Sequence, residues 1–466
     1  MDITLSDLRS LRTHLLGIGG IGVSALARML RDGGLPVSGC DVRSSSITEA
    51  LEKEGIPVQI GHSAAHVQTS DVLVYSTAVP HGNPELAAAQ EAGKRVLHRS
   101  HLLSLLVDTR RTIGVTGTNG KGTVTSMITW ILETAGLAPS YYVGAMCPNL
   151  GTNARYRDSR FMVAELDESD GSLTNIHPVM ALLNNLEMDH LNYYTSIEHA
   201  VETLTRFFNG LPPGATGFFN ADCAGAAQVL SCVPNLRTVT FGQSPNAMYR
   251  YEPLGFSSRD SCFRVVRGDG AGADPGEFCL QVPGSYNIEN AAGAVAVACE
   301  LGVPAGVVRS ALASYQGLEN RYTVVAAGAC TVVKDYISHP TGIRKVLATA
   351  RLGNPGRLIA VFKPYRYTMV RYHGKNYAAA FALADETVVT DMWPGGEEPI
   401  PGVDTGWLVD QMRGNGCSVS HVADMKDIVG HLASVARPGD WFLFFGGQDL
   451  FELADSLAGR LAEEVR

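Results

Sequence analysis

Ile113-Gly114-Val115-Thr116-Gly117-Thr118-Asn119-Gly120-Lys121-Gly122-Thr123-Val124-Thr125-Ser126 is the stretch on which the reading of this chain turns. An apolar, β-prone run enters it, and a helical pattern, SMITWILETAG at 126–136, leaves it. Glycines at 117, 120 and 122 permit a tight turn whose backbone N–H groups point at a phosphate. Lys121 is then placed to reach the outer phosphates of a nucleotide. The strict P-loop pattern asks for Gly six residues before the lysine and Ser or Thr after it. Val115 and Gly122 stand there instead, so this is a shortened Gly-Thr-X-Gly-Lys loop.

Downstream, the apolar run FMVA at 161–164 ends in Glu165-Leu-Asp-Glu-Ser-Asp170. Acids at the C-terminal end of a strand beside a phosphate loop suit Mg²⁺; an acidic loop capping the next helix is the plainer alternative. A second run, VMALL, ends in Asn184-Asn185-Leu-Glu187-Met-Asp189-His190, where a His among amides and acids can take a second cation or orient a nucleophile. Asn287 and Asn290 stand three residues apart at the start of an apolar helical run. That spacing puts them on one helix face, where two amides can read a purine edge or one can serve as an N-cap.

Upstream, Gly17-Ile18-Gly19-Gly20-Ile21-Gly22 follows another apolar run, and Asp41 lies 19 residues beyond Gly22. This matches the dinucleotide fingerprint. The same turn would serve the diphosphate of a nucleotide sugar, or could be only a close-packed βα turn. Towards the C-terminus, Lys334-Asp335-Tyr336-Ile-Ser-His339-Pro340 and Lys363-Pro-Tyr-Arg366-Tyr-Thr-Met-Val-Arg371 end two more strand-like runs. Arginine there favours bidentate contact with phosphate or carboxylate. Arg321, in GLENRY, is a candidate to reach a nucleotide across a domain seam.

At 466 residues the chain exceeds one hydrophobic core. Its rhythm divides it at 1–107, 108–317 and 318–466, with βα alternation in the first and third blocks and β-rich decoration at about 236–282 of the second. A net charge of −9 argues against sequence-independent nucleic-acid binding. The nine cysteines are scattered without a C-x-x-C pair, which reads as a reduced compartment. With no apolar stretch of membrane-spanning length and no signal-like N-terminus, the expectation is a cytoplasmic protein with no membrane insertion.

Taken in order, these pieces resemble the Mur ligase family from about residue 14 to the last helix. GIGGIGVSALA is similar to its UDP-binding turn, GTNGKGTVTSM to its ATP loop, AELDESDGS and NNLEMDH to its metal motifs, and VPGSYNIENAAGAVAVA to its adenine-contacting helix start. DYISHPTGIRKVLATAR and KPYRYTMVR resemble the start of its C-terminal domain, and DMWPGGEEPIPGVDT at 391–405 resembles its alanine-adding branch. Asn119 and Gly122 depart from the family's His and Thr and resemble the folate-type cousin; Ser285-Tyr286, Ser338 and Met369 also depart.

The resemblance implies an α/β fold of three domains: a Rossmann-like N-terminal domain, a central P-loop ATPase-type mixed-sheet domain and a Rossmann-like C-terminal domain. It implies an ATP- and Mg²⁺-dependent amide ligase in peptidoglycan precursor synthesis, joining L-alanine to the carboxylate of UDP-N-acetylmuramate through an acyl phosphate. A sister ligase adding another amino acid or a peptide, or using a folate-like acceptor, is the alternative. Carried over residue by residue, Gly17, Gly19, Gly20, Ile21, Gly22, Asp41 and Ser76 would bind the UDP-sugar. Gly117 to Thr123, Asn287, Asn290, Arg321 and Asp335 would bind ATP. Thr123, Glu165 and His190 would hold metal, and Lys121, His190, His339 and Arg366 would serve catalysis. Such a protein would be a monomer or homodimer. An NAD-dependent oxidoreductase accounts for GIGGIG and Asp41 but not for the other motifs together, and a decayed ligase acting as a regulator would account for the departures.

Overall fold

The computed structural model describes residues 3–80, 82–268, 270 and 274–463. Among the described residues twenty-one strands form three sheets, which follow one another along the chain. The first contains β1 (Thr13–Leu16), β2 (Val37–Asp41), β3 (Val58–Ile60), β4 (Val72–Tyr75) and β5 (Arg95–His98). Their order is β3-β2-β1-β4-β5, and every pair is parallel. The chain leaves β1 for β2 on one side and returns to β4 on the other. The glycine turn after β1 therefore lies at the switch point, where crevices form in open α/β sheets.

The middle sheet holds β6 (Arg111–Thr116), β7 (Ser140–Cys147), β8 (Thr152–Arg155), β9 (Phe161–Glu165), β10 (Met180–Leu183), β11 (Thr216–Asn220), β12 (Arg237–Gly242), β13 (Tyr249–Phe256), β14 (Ser261–Arg267) and β15 (Gly276–Leu280). The order is β15-β14-β13-β12-β11-β10-β6-β9-β7-β8. β6 is fully buried after its first residue and is flanked by β10 and β9 in parallel. Register places Val115 beside Glu165 and Thr116 beside Leu183, so the loops after β6, β9 and β10 emerge at one edge. The irregular part expected as decoration instead continues the same sheet through β12 to β15. There Cys262 and Cys279, paired across antiparallel β14 and β15, form a disulfide that linear spacing did not signal.

The third sheet contains β16 (Thr323–Ala327), β17 (Thr331–Asp335), β18 (Leu358–Phe362), β19 (Glu386–Val389), β20 (Val419–His421) and β21 (Trp441–Phe445), in the order β16-β17-β21-β18-β19-β20. All pairs are parallel except β16 with β17, an antiparallel edge that βα alternation did not predict. The fold is thus α/β, with three domains built on parallel and mixed sheets.

Packing ties the domains together. One apolar cluster runs from Leu15, Ile18 and Leu26 of the first sheet region to Leu166, Leu173 and Phe207 of the middle one. Full burial of such a side chain contributes about 1.5–3 kcal/mol. The helix Ile21–Asp32 sits on β7 and β8, where Arg28 donates to Asn153 Oδ1 (2.8 Å) and Asn153 donates to the carbonyl of Ile21 (3.0 Å). The helix Ser285–Glu300 packs against the helix Lys121–Thr134, and its Gly293 lets it lie close over Leu182 and Phe241 of the sheet. No helix among the described residues is long and apolar enough to cross a membrane.

Candidate active site

The loop after β6 is held open by its neighbours. Gly117 (φ +135°) and Gly120 (φ +82°) take backbone conformations that favour glycine. A β-carbon on Gly117 would lie 2.7 Å from the carbonyl oxygen of Asn185, and one on Gly120 would collide with Asn290 Oδ1. Thr118 N–H donates to the Asn185 carbonyl (3.1 Å), and Asn119 N–H donates to Asn185 Oδ1 (2.7 Å). Asn184 and Asn185 side chains both donate back to the Asn119 carbonyl, at 3.0 and 2.9 Å. The helix Lys121–Thr134 starts at Gly120 without a side-chain cap, so its first-turn N–H groups have no side-chain acceptor at the cap, the arrangement that suits an anion.

Lys121 Nζ donates to the Gly117 carbonyl (2.8 Å) and to Glu168 Oε1 (2.9 Å). Glu168 is buried, and its Oε1 lies 3.4 Å from His190 Nε2, so one carboxylate stands between two basic groups. Burial works against the ammonium of Lys121, but Glu168 and Asp167 outweigh it and hold its pKa above the ordinary value. Burial likewise opposes protonated His190; Glu168 and Asp189 reverse that and raise its pKa. His190 has a left-handed backbone (φ +50°), a strained state typical of functional turns. Burial penalises the Asp167 carboxylate, yet Arg99 and Lys121 hold its pKa well below the usual range; Arg99 Nη2 is 2.6 Å from Asp167 Oδ2.

Glu165, partly buried, accepts from Gly144 N–H (2.6 Å), and burial raises its pKa against the pull of Lys121. Gly122 is the loop residue that faces it, with a β-carbon there only 3.1 Å from Glu165 Oε2; Thr123 follows in the same helical turn. Asp167, Glu168 and His190 bring their ligand atoms within 4.8 Å of one another. Of these only His190 stood out in the sequence. Asp167 and Glu168 lay inside the quoted acidic run, and the signal that separates them from Glu165 is which way the chain turns after β9.

Asn287 and Asn290 share a buried face, as their spacing implies, but their amides bond to each other and to the protein. Asn287 donates to the Pro283 carbonyl (2.7 Å), Asn290 to Asn287 Oδ1 (3.3 Å), and Asn184 to Asn290 Oδ1 (2.9 Å). Asn290 thereby braces the phosphate loop. Asp335 accepts N–H groups from Tyr322 and Ile337, both at 2.9 Å, and burial raises its pKa. Arg321 is exposed and lies over the Tyr336 ring at 5.1 Å.

The C-terminal domain meets the middle one through the loop after β10. His339 is buried, caps the helix Pro340–Arg351, and places Nδ1 3.2 Å from Glu187 Oε2 and Nε2 3.3 Å from the Met188 carbonyl. His373 reaches the same carbonyl at 3.1 Å. Arg366 (φ +60°) donates to Asn192 Oδ1.

In the first domain Asp41 Oδ2 accepts the Gly19 N–H (2.9 Å), so the distal acid secures the turn itself. Gly17 takes φ +67°, and Gly20 caps the helix that Ile21 begins. A β-carbon on Gly22 would meet the Tyr142 hydroxyl at 2.8 Å. Tyr142, Arg99, Glu165 and Asp167 line a small cavity. Gly22 of the first turn thus borders Tyr142, Gly122 of the second borders Glu165, and Tyr142 and Glu165 line the same small cavity. Ser76 lies just beyond β4, partly buried. A wider groove at Arg110 and Arg160 contains none of the candidate residues.

Comparison with known proteins matches this architecture piece by piece. Residues 12–111 match the Mur ligase family catalytic domain, 115–298 the Mur ligase middle domain, and 320–447 the Mur ligase glutamate ligase domain. The chain is 36% identical to the UDP-N-acetylmuramate–L-alanine ligase of Sorangium cellulosum, covering 96% of each chain. It is 35% identical to that of Streptomyces avermitilis, covering 97% of this chain and 98% of the relative. The solved UDP-N-acetylmuramate–alanine ligase of Thermotoga maritima superposes with a TM-score of 0.82 at 25% identity, over 97% of this chain and 100% of that one. A murein peptide ligase of Psychrobacter arcticus shares the fold, with a TM-score of 0.72 at 22% identity over 97% and 98% of the two chains. With a glycine loop braced by paired asparagines, acids at the adjoining strand end, three matching domains and full-length relatives, the chain belongs to the Mur ligase family.

Proposed function

We propose that this protein is an ATP-dependent ligase that joins L-alanine to the carboxylate of UDP-N-acetylmuramate. The observation that carries the reading is the meeting of Lys121, Glu168 and His190 beside an uncapped helix N-terminus. The choice of acceptor and amino acid rests on the relatives' names and on the glycine turn of the first domain, whose Gly22 borders Tyr142 beside the cavity that Glu165 also lines. The UDP diphosphate would lie at Gly17 to Gly22, with Asp41 and Ser76 at the edges of that site, and ATP at Gly117 to Thr123.

The chemistry follows from charge. A carboxylate approaching a triphosphate is repelled unless positive charge is already in place. Lys121 and the first-turn N–H groups supply it and orient the γ-phosphate for attack by the muramoyl carboxylate. That attack forms the acyl phosphate, breaks the bond to the β-phosphate oxygen and releases ADP. The deprotonated amine of alanine then adds to the acyl carbonyl, and phosphate leaves as the amide nitrogen gives up a proton. The donor set fits a divalent cation: Asp167, Glu168 and His190 would hold Mg²⁺, with Glu165 beside them, and the ion when bound neutralises phosphate charge. Glu168 must then exchange Lys121 for its new partner, leaving the ammonium free for phosphate. His339, Arg366, Arg321 and Asp335 sit at the seam through which the C-terminal domain would deliver the amino acid.

The test is phosphate release with ATP, Mg²⁺ and UDP-N-acetylmuramate, run with L-alanine, glycine, L-serine, L-glutamate or no amino acid. Release that requires both the UDP-sugar and L-alanine is expected. Release with another amino acid would move the specificity, and none with any of them, from folded protein that binds ATP, would overturn the ligase reading.

A further inference from the structure

A second cluster of metal-binding side chains lies within the first domain, outside the cavity that Tyr142 and Glu165 line. β1 and β2 run side by side with His14 opposite Ser38 and Leu16 opposite Cys40, so alternation puts His14, Ser38 and Cys40 on one sheet face. The helix Pro84–Glu91 covers that face and lowers Glu85 onto it, and the segment after β3 adds His62 and His66. His14, Cys40 and Glu85 are at most 1% exposed. Leu16, Val67, Leu73 and Leu86 close the surroundings.

The distances suit a tetrahedral ion. Glu85 Oε2 is 3.0 Å from Cys40 Sγ and 3.4 Å from His14 Nε2, and Glu85 Oε1 is 3.0 Å from His66 Nδ1. Zinc bonds of about 2.0–2.3 Å imply ligand atoms roughly 3.3–3.8 Å apart, a small outward relaxation from what is seen. One ligand atom from each of the four residues lies within 4.8 Å of all the others.

Two features point beyond a simple buried hydrogen-bond cluster. His14 turns Nδ1 to Ser38 Oγ (3.0 Å), and its Nε2, aimed at the cluster, stands 3.4 Å from Glu85 Oε2 without hydrogen-bond geometry. Glu85 is wholly buried and accepts from the Ser63 N–H (3.0 Å) and the Cys40 thiol, yet its ion-pair partners among the described residues are all histidines, with no lysine or arginine to balance the carboxylate. A divalent ion answers both. With a thiolate, a carboxylate and two neutral imidazoles the centre is uncharged, which is what an apolar interior tolerates.

We propose that His14, Cys40, His66 and Glu85 form a zinc site that staples β1, β2 and the helix Pro84–Glu91. Binding would release the Cys40 thiol proton to water. His62 Nδ1, 3.4 Å from Cys40 Sγ and 3.2 Å from Glu85 Oε1, would support the ligands from outside, and Ser38 would fix the His14 ring. Four protein ligands leave no open position, so the role is structural.

Cobalt(II) titration of the full chain, with excess Mg²⁺ filling oxygen-rich sites, tests this. The expected result is a one-to-one tetrahedral spectrum with a thiolate-to-cobalt charge-transfer band, bleached by zinc. Cys40→Ala should abolish the band, and His66→Asn, at a partly exposed position, should weaken cobalt binding about tenfold or more. A folded wild-type chain showing no thiolate band would overturn the proposal. So would a band that survives in Cys40→Ala, or unchanged affinity in His66→Asn should the cysteine variant fail to fold.

Discussion

Glu168 shows at the scale of one residue how the site is poised. It touches Lys121 and His190 at once, and both partners are shifted towards their charged forms by it. Lys121→Ala should lower turnover by roughly 10²–10³-fold, the usual cost of losing one preorganised electrostatic group, in a phosphate-release assay. Binding of the UDP-sugar, followed by calorimetry, should stay within a few-fold, since its proposed turn lies on another sheet. The pH dependence follows from the signs. His190 has a folded pKa above its unfolded value, so its contribution is full below about pH 6.5 and fades as pH rises through the folded pKa. His190→Gln should therefore cost more stability near pH ~6 than near pH ~9 in denaturant titrations. Asp167, with a lowered folded pKa, behaves oppositely, stabilising above the ordinary carboxylate range and losing its effect in acid.

At the scale of elements, the phosphate loop depends on the two strands beside β6. Register carries the acidic run and the paired asparagines to the same edge, and the asparagines then hold the loop through its Asn119 carbonyl. Gly120→Ala would put a methyl against Asn290 Oδ1 at a positive φ. The expected cost is about 1–3 kcal/mol of stability with loss of nucleotide binding, read by chemical denaturation and by fluorescence titration of ATP. These loops were legible in the sequence because each is an apolar run ending in a run of chemically distinctive residues. The partners of Asn287, Asn290 and Asp335 were not legible. Spacing places a side chain on a face, but what lies opposite depends on elements far away in the chain.

At the scale of the molecule, function requires loops from different sheets to meet. The middle and C-terminal domains join where His339 and His373 converge on the Met188 carbonyl and His339 also meets Glu187. His339→Ala should destabilise this seam by about 1–3 kcal/mol, the penalty of unpaired buried polar groups, and lower turnover more than ATP affinity. Comparing kinetics with nucleotide binding, and small-angle scattering for domain spread, checks both. The sequence by itself determined the α/β class, the glycine loop after β6 and the family resemblance, because tight turns, apolar periodicity and the order of motifs are local properties. Tertiary structure decided that Glu168 rather than Glu165 bridges Lys121 and His190, that Asp41 secures its own turn, and that β12 to β15 continue the central sheet. It alone gathered His14, Cys40, His66 and Glu85, separated by up to 71 positions, around one point. Strand register and helix docking bring such residues together, and no local pattern encodes them.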